Sequence, residues 1–402
     1  MLIVQKFGGS SVATPEKVKR VAGIIADAYS EGHSLVVVLS AQGDSTDELL
    51  EKAALYNPRP SRRELDMLLA TGEQVSVALM AMTLEGMGLP AVSLCGWQMG
   101  LQTTSEYGNA RIKRIAGERI SRELDARRIV LAAGFQGLCK YDDVTTLGRG
   151  GSDTTAVALA AVLHADRCRI YTDVEGVYTA DPRRVQGARK LEEITFDEMM
   201  ELATLGAQVL HNRCVEMAKR YGVELEVLSS YVRKPGTIVK EVCRKVEENK
   251  VTGIALDRDV TRLTVAGLPD EPGRAFQVLT ALGREKINVD LILQSVGKNG
   301  SNDLSFTVKS SDAEAALAAV ERQKERIGFD HVSAEEAVAK VSIVGGGMVS
   351  SPGVAAQMFE ALYSAKINVK MICSSEIKLS VLIEEKYADL AVQRIHDQFF
   401  GE

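Results

Sequence analysis

The chain has 402 residues, 46% hydrophobic and 25% charged, which fits a globular protein with more than one core and excludes a disordered chain. Lys and Arg number 48 against 54 Asp and Glu, and the formal charge of −6 excludes bulk attraction to nucleic acid or to an anionic membrane. Six cysteines and five histidines are scattered without a Cys-x-x-Cys pair, so no metal site is signalled, and free thiols fit a reducing compartment.

The first predicted strand, Leu2–Phe7, opens on an apolar run from Leu2 to Val4 that is too short for a signal peptide. Nothing approaches the ~18 uncharged apolar residues of a membrane span. The expectation is a cytoplasmic protein with no membrane or nucleic-acid partner. A helix is predicted over Pro15–Ser30, with Val18, Val21, Ile25 and Ala28 at helical spacing, Thr14 as N-cap and Gly32 as stop. Further strands are predicted over 34–40, 91–94, 129–134, 169–173 and 224–229, and a helix over 156–163. LVVVL and IVLAAG are apolar on both faces, which predicts an α/β fold with a mainly parallel sheet sandwiched by helices.

The charged stretch 240–250, KEVCRKVEENK, reads as a linker to a half that repeats itself. PGRAFQVLTALGREKINVDLILQS, from Pro272, returns 80 positions later as PGVAAQMFEALYSAKINVKMICSS, from Pro352. Each copy reads as strand, Pro-Gly turn, amphipathic helix, strand, strand, helix, strand, a small α+β module. Two copies are too few for a solenoid.

Four loops carry candidate chemistry. Lys6-Phe7-Gly8-Gly9-Ser10-Ser11 lies between the first strand and helix, where glycines admit a ligand to the backbone and helix N–H groups favour anions. Ser40 to Glu48, SAQGDSTDE, follows a buried strand, the end at which open α/β sheets bind ligands; a helix N-cap accounts for one of its residues. Thr145 to Thr155, TTLGRGGSDTT, surrounds Arg149 with glycines ahead of a helix, an anion cradle in which Arg149 can fork onto a carboxylate or phosphate. Tyr171 to Arg183, YTDVEGVYTADPR, suits a nucleoside, although an Asp-Pro turn alone also explains part of it. Dinucleotide-fold, P-loop and protein-kinase signatures are missing.

Together these segments resemble the aspartate kinases, amino-acid kinase-fold enzymes with tandem ACT modules. The motifs K-F-G-G-S-S, S-A-x-G-D-x-T-D, T-G-E, G-F-Q-G, T-T-L-G-R-G-G-S-D-T-T, D-V-x-G-V-Y-T-A-D-P-R and S-S-P-G-V stand in the family's order along nearly the whole chain. Ser10 and Ser45 replace frequent threonines and keep the hydroxyl. The resemblance implies a kinase domain over 1–245 and ferredoxin-like ACT modules over 260–335 and 336–402, the second open to completion by a strand from 250–259. It implies transfer of phosphoryl from ATP, with Mg²⁺, to the β-carboxylate of L-aspartate. The product, 4-phospho-L-aspartate, leads to lysine, threonine and methionine, and lysine, threonine or both are expected as feedback inhibitors. Homo-oligomers through the ACT modules, or hetero-oligomers with a separately translated ACT subunit, are expected partners.

Carried over by motif, Lys6, Arg149 and Asp181 are the catalytic set. ATP is assigned to Lys6, Phe7, Gly8, Gly9, Ser40, Ser152, Tyr171, Thr172, Val177, Tyr178, Thr179, Ala180, Asp181 and Pro182, with Lys6 and Asp181 bracketing the phosphates. Aspartate is assigned to Asp44, Ser45, Thr46, Asp47, Glu48, Glu73, Arg149, Gly150, Gly151 and Ser152, with Glu73 facing its ammonium. The effector set is Asp270, Gly273, Ala275, Ile287, Asn288, Val289 and Gln294 in the first module, and Val354, Ala355, Asn368, Val369, Ser375 and Glu376 in the second. Asp290 stands where the other copy has Lys370, and Gln294 where it has Ser374, which suggests that only one type of effector site binds well. Modules that only build a dimer interface are the alternative.

The substrate carboxylate, with a pKa of about 3.9, is already ionised and needs no general base, in keeping with the absence of a His or Cys constellation. Its repulsion from ATP is roughly 4 kcal/mol per charge pair at about 4 Å and an effective dielectric near 20, so cations and helix N-termini carry the catalysis. Rival readings are an amino-acid kinase acting on acetylglutamate, glutamate or a nucleotide, and a catalytically silent amino-acid sensor.

Overall fold

A computed structural model describes residues 1–206, 209–243, 250–296, 300–348 and 351–401. Most of the predicted linker therefore lies outside the described residues, as does Ser350 of the S-S-P-G-V motif. The chain divides into two compact units. One holds Met1–Val177, Lys190–Ala203 and the described residues 209–243; the other holds Tyr178–Arg189, the described residues 204–206 and the described chain from 250 onward. The unbroken kinase domain expected over 1–245 thus gives up Tyr178–Arg189, because Ala180 and Val185 are buried in the core of the second unit.

The first unit is built on eight strands: β1 (Leu2–Phe7), β2 (Ser34–Leu39), β3 (Ala91–Leu94), β4 (Ile129–Ala133), β5 (Arg167–Thr172), β6 (Glu193–Thr195), β7 (Leu225–Ser229) and β8 (Thr237–Lys240), ordered β6-β8-β7-β5-β1-β2-β4-β3. Every pairing is parallel except β7 with β8. The central strands β2 and β4 are buried nearly throughout, as their unbroken apolar runs require. Helix α1 (Pro15–Ser30) starts where predicted, with Thr14 Oγ1 accepting from the Lys17 N–H and Gly32 at φ +87° beyond its end. It packs Val18, Val21 and Ile25 onto Ile3, Phe7 and Leu35.

Helices α2 (Ser45–Tyr56), α3 (Arg62–Leu69) and α4 (Thr71–Gly86) follow. Within Arg62–Gly86 an 18-residue stretch has a mean hydropathy of 1.4, apolar enough by composition to cross a membrane. The sequence pattern missed it because Asp66 and Glu73 interrupt it. Both carboxyls are buried and hydrogen-bonded within the protein, and α4 sets Val77, Met80 and Leu84 into the core, the pattern of a core helix. A small sheet joins Leu101–Thr103 and Ile112–Ile115, ahead of β4, to Gln136–Leu138 and Val144–Thr146, after it, and leads to α5 (Gly151–Val162), with α6 (Asn212–Tyr221) packed beside that helix.

The second unit holds the duplication as two four-stranded sheets. Its strands are β9 (Gly253–Asp257), β10 (Thr261–Pro269), β11 (Ile292–Val296), β12 (Ser301–Val308), β13 (His331–Glu335), β14 (Val338–Val344), β15 (Val369–Ser374) and β16 (Lys378–Glu384). Helices α7 (Arg274–Arg284) and α8 (Ala313–Glu321) belong to the first module, α9 (Val354–Ser364) and α10 (Ala388–Phe400) to the second. The first sheet runs β11-β12-β10-β13; the second runs β9-β14-β16-β15. The first copy follows the predicted order, whereas the second ends on α10 and its last strand position is taken by β9, from ahead of both modules.

Where the two modules meet, Lys340, 3% exposed, is held by Asp257 at 3.3 Å and by Asp290. Arg262 pairs with Glu335 at 2.7 Å, and Lys370 pairs with the same Glu335. The opposite signs at 290 and 370 therefore have a structural reason, since each completes a cluster whose other members differ in charge.

Candidate active site and effector modules

The chemistry of the first unit gathers at the carboxyl ends of β1, β2 and β4, where open α/β sheets bind ligands. After β1, Gly9 lies so close to the loop after β2 that a Cβ would sit 2.5 Å from the Ala41 carbonyl oxygen. The Gly43 N–H donates to Gly9 O at 3.0 Å, and Gln42 Nε2 donates to Val12 O at 2.8 Å, which lock the two loops together. Side chains alternate along β1, so Phe7 enters the core under α1 while Lys6 leaves by the other face.

Lys6 Nζ reaches to 2.6 Å from Asp153 Oδ1, with the side chains 12% and 13% exposed. That oxygen accepts no hydrogen bond in good geometry, so the contact is a charge pair. Asp153 stands in the first turn of α5, behind Gly150 at φ +68°. A Cβ at Gly150 would lie 2.3 Å from the His211 side chain, and one at Gly134 would lie 2.6 Å from Ser152 Oγ, so these glycines bring the helix start down onto the strand ends. A helix N-terminus in that position favours an anion.

Arg149 is exposed and has no ion pair or hydrogen bond among the described residues. Its loop is stapled from two sides. Asp66, 1% exposed on α3, accepts from the N–H groups of Gly108 at 2.9 Å and Thr146 at 2.8 Å, and from Thr146 Oγ1 at 2.8 Å. Arg213, on α6, donates to the carbonyls of Leu147 and Ala110 and to Asn109 Oδ1. Burial pushes the Asp66 carboxyl up and the Arg213 guanidinium down, the latter helped by Arg111.

Glu73, 3% exposed in the first turn of α4, accepts from the Ala41 N–H at 3.0 Å through Oε1, while Oε2 has no partner. Burial pushes its carboxyl up to about 7, against the opposing pull of the Ala41 N–H. A ligand ammonium would satisfy both the charge and the free oxygen.

Several expected residues stand elsewhere. The rings of Phe7 and Tyr171 stack on each other at 4.5 Å inside the core, leaving only their backbone for a nucleotide. Val177 is likewise buried, its N–H bonded to Thr237 Oγ1 at 2.9 Å. Asp44 to Glu48 is not an open loop: α2 begins at Ser45, and Asp47 and Glu48 are exposed first-turn acids favoured by the helix dipole. Ser40, Ser45 and Thr46 are half-buried, and the Ser40 N–H bonds Phe7 O. Thr172 bonds its neighbour Asp173. Tyr178, Thr179, Ala180, Asp181 and Pro182 belong to the second unit. There Asp181 is gripped by Arg183, which holds its carboxyl below the usual range; the carboxylate beside Lys6 is Asp153. Asp153, Asp66 and Arg213 were not legible as site residues, although a first-turn acid behind a glycine cradle was a signal for the first.

In the ACT modules Gly273 and Gly353 open the first helices in the left-handed region, at φ +94° each. Ile287 and Val354 are core residues, and Ala275, Val289 and Val369 pack against the cores, so their side chains do not face an effector. Asp270, Gly273, Asn288, Ala355, Asn368, Ser375, Glu376 and Gln294, the last on the exposed strand β11, are the accessible members. Asp270 accepts from Asn302 Nδ2 at 2.8 Å.

The amino acid kinase family model matches residues 1–229, and the ACT domain model matches 263–323 and 341–399. The aspartokinase of Bacillus sp. strain MGA3 is 49% identical over 398 residues, 99% of this chain and 97% of that one. The crystal structure of E. coli aspartokinase III with aspartate and ADP, in the R-state, superposes with a TM-score of 0.84 at 28% identity, each chain covered completely. The same enzyme with lysine and aspartate, in the T-state, gives 0.79 at 28% identity with 99% of each chain covered.

Proposed function

The chain belongs to the aspartate kinases, amino-acid kinase family enzymes that carry ACT domains, and on that premise we propose that its notch moves the γ-phosphoryl group of ATP onto the β-carboxylate of L-aspartate. The reading is carried by one observation: a lysine and a helix start stand at the same strand ends as a buried carboxylate with a free oxygen. Gly8, Gly9 and Lys6 would hold the phosphates, Lys6 turning from Asp153 to the transferring group. Glu73 would take the aspartate ammonium and Arg149 a carboxylate, with Gly150, Gly151 and Ser152 lending backbone N–H groups. The nucleophile is ionised beforehand, so positioning and charge neutralisation do the catalysis.

Among the described residues no group of three His, Cys, Asp or Glu is set to hold a metal. The residues fit a Mg²⁺ carried on the phosphates, with Asp153 as the carboxylate they offer. When bound, that ion supplies neutralisation of the phosphate oxygens. The complexes of E. coli aspartokinase III with aspartate and ADP, and with lysine, support aspartate as acceptor and lysine as an effector at the ACT modules. Threonine, alone or with lysine, and a cytoplasmic location belong to the same reading.

A coupled ADP-release assay with aspartate, glutamate and acetylglutamate, with hydroxylamine trapping of the acyl phosphate, tests it. Trapped aspartyl hydroxamate is the expected product. ADP release that is greater with either alternative acceptor would overturn it, and added lysine and threonine test the effectors.

A further inference from the structure

We propose that the first unit holds a second small-molecule site, for a free α-amino acid with an apolar side chain, in the cavity between α1 and strands β1, β5 and β7. The site is independent of the phosphoryl-transfer reading and of the ACT modules.

The cavity measures about 370 Å³, within the range of ligand pockets, and is lined by the first unit alone. It lies on the α1 side of the sheet, opposite to the face by which Lys6 leaves β1. Its floor is one row of side chains across three strands: Gln5 stands opposite Arg169, and Arg169 opposite Glu226. Along β1 the same face carries Ile3 and Phe7, both in the core, so Gln5 is a primary amide where the strand's pattern calls for an apolar residue. It is 0% exposed, and neither Oε1 nor Nε2 has a hydrogen-bond partner among the described residues. A buried amide left so costs stability, and a group entering the cavity would complete it.

The charges decide which group. Arg169, Arg233 and Lys234 line the cavity against Asp27, Glu31 and Glu226, so the two signs cancel and exert no net pull on a simple anion or cation. A zwitterion uses both. Arg169 Nε donates to Glu226 Oε2 at 2.8 Å, which leaves guanidinium N–H groups over for a second anion. Arg169 with Gln5 Nε2 would take the α-carboxylate, and Glu226 the ammonium. Asp27 and Arg233 pair with each other, and both keep more than half of their side-chain surface, so water weakens a bond that a ligand must pass. Ile24 and Ala28 from α1, facing Leu228 and Val232, supply apolar wall for the side chain.

The experiment is isothermal titration of the full chain with L-leucine as the probe, in the parent, Arg169→Met and Gln5→Leu. The parent is expected to bind leucine saturably with a Kd of about 1 mM or tighter. 4-Methylpentanoate, which lacks the ammonium, and leucinamide, which lacks the carboxylate, are expected to bind at least about tenfold more weakly. Arg169→Met is expected to weaken leucine at least about tenfold and to leave any heat from lysine or threonine as in the parent. Gln5→Leu puts an apolar side chain in place of an unpartnered amide. It is expected to weaken leucine about five- to tenfold while the melting temperature of the free chain rises, whereas a merely structural amide would lower the melting temperature and leave the affinity alone. Absence of saturable heat from leucine overturns the site. So does 4-methylpentanoate binding as tightly as leucine, or leucine binding equally well to Arg169→Met. Should Arg169→Met not fold, Glu226→Gln removes the counter-charge of the ammonium and is expected to give the same loss. Acyl phosphate formation is expected to be unchanged in these variants, so either reading can fail alone.

Discussion

The two units use buried charge in opposite ways. In the first, polar groups at the strand ends are left incomplete: Glu73 Oε2 is buried without a partner, Arg149 is exposed and unpaired among the described residues, and Lys6 touches Asp153 without a good hydrogen bond. In the second, every member of the seam has a partner of opposite charge: Lys340 is surrounded by Asp257 and Asp290, and Glu335 takes both Arg262 and Lys370, although Glu335 Oε2 and Arg262 Nε make no hydrogen bond in good geometry. An incomplete polar group costs stability, and it is kept where a ligand completes it. Charges paired with each other specify how two modules fit. Substitutions in the first unit should therefore cost activity, and those in the second should cost stability.

Lys6→Ala puts the largest strain on this contrast. Turnover is expected to fall on the order of 10³-fold or more, the scale of a lost cation on a transferring phosphoryl group, a loss far larger than the fall in melting temperature from leaving Asp153 without its partner can explain. Steady-state kinetics beside a thermal melt reads both, and full turnover in the variant would remove the lysine from the chemistry. Lys340→Met is the converse. It leaves Asp257 and Asp290 facing each other, and because they keep 23% and 32% of their side-chain surface, water repays part of the loss. About 2–3 kcal/mol of stability is expected to go, less than for a fully buried pair, with kcat per folded molecule unchanged. Urea unfolding measures it; a variant as stable as the parent would mean that the seam charges are decoration.

What could be read in advance follows from the same contrast. Strands and helices announced themselves through apolar period and caps, so α1 and β1 were legible to the residue. The glycine cradles were legible because close approach demands glycine whatever the partner. Asp66 was not: its partners, Gly108 and Thr146, are far away in sequence, and only the fold brings them together. Nor was the move of Tyr178–Arg189 into the second unit, since a motif recognised along the chain carries no sign of which core will bury Ala180 and Val185. The helix start at Ser45 was misjudged because small polar side chains serve ligand loops and first turns alike.

Arg149→Ala sharpens the contrast at smaller scale. The guanidinium makes no bond within the described protein, so its loss should leave stability unchanged while KM for aspartate rises roughly 30-fold, the worth of a charge-assisted contact. Arg149→Lys is expected to recover only part, since the ammonium cannot fork onto a carboxylate. An aspartate KM unmoved in Arg149→Ala would assign the carboxylate to another group.

The smallest effect is the most specific. With its carboxyl at about 7, Glu73 is about half protonated at neutral pH, whereas a ligand ammonium requires it ionised. The competent fraction rises from about a tenth at pH 6 to about nine tenths at pH 8, so aspartate affinity should rise about tenfold over that interval and then level off. Free aspartate has no group of its own titrating there, so a proton should be released on binding near pH 7, measurable by calorimetry in buffers of different ionisation enthalpy. Stability runs the other way. A carboxyl whose folded pKa lies above its unfolded value of 4.5 binds more protons when folded, so the free protein loses stability as pH climbs through that window. Glu73→Gln should abolish the pH dependence of aspartate binding, weaken it at pH 8, and leave the free protein at least as stable as the parent there. A flat affinity profile in the parent would show that the Glu73 carboxylate does not receive the ammonium.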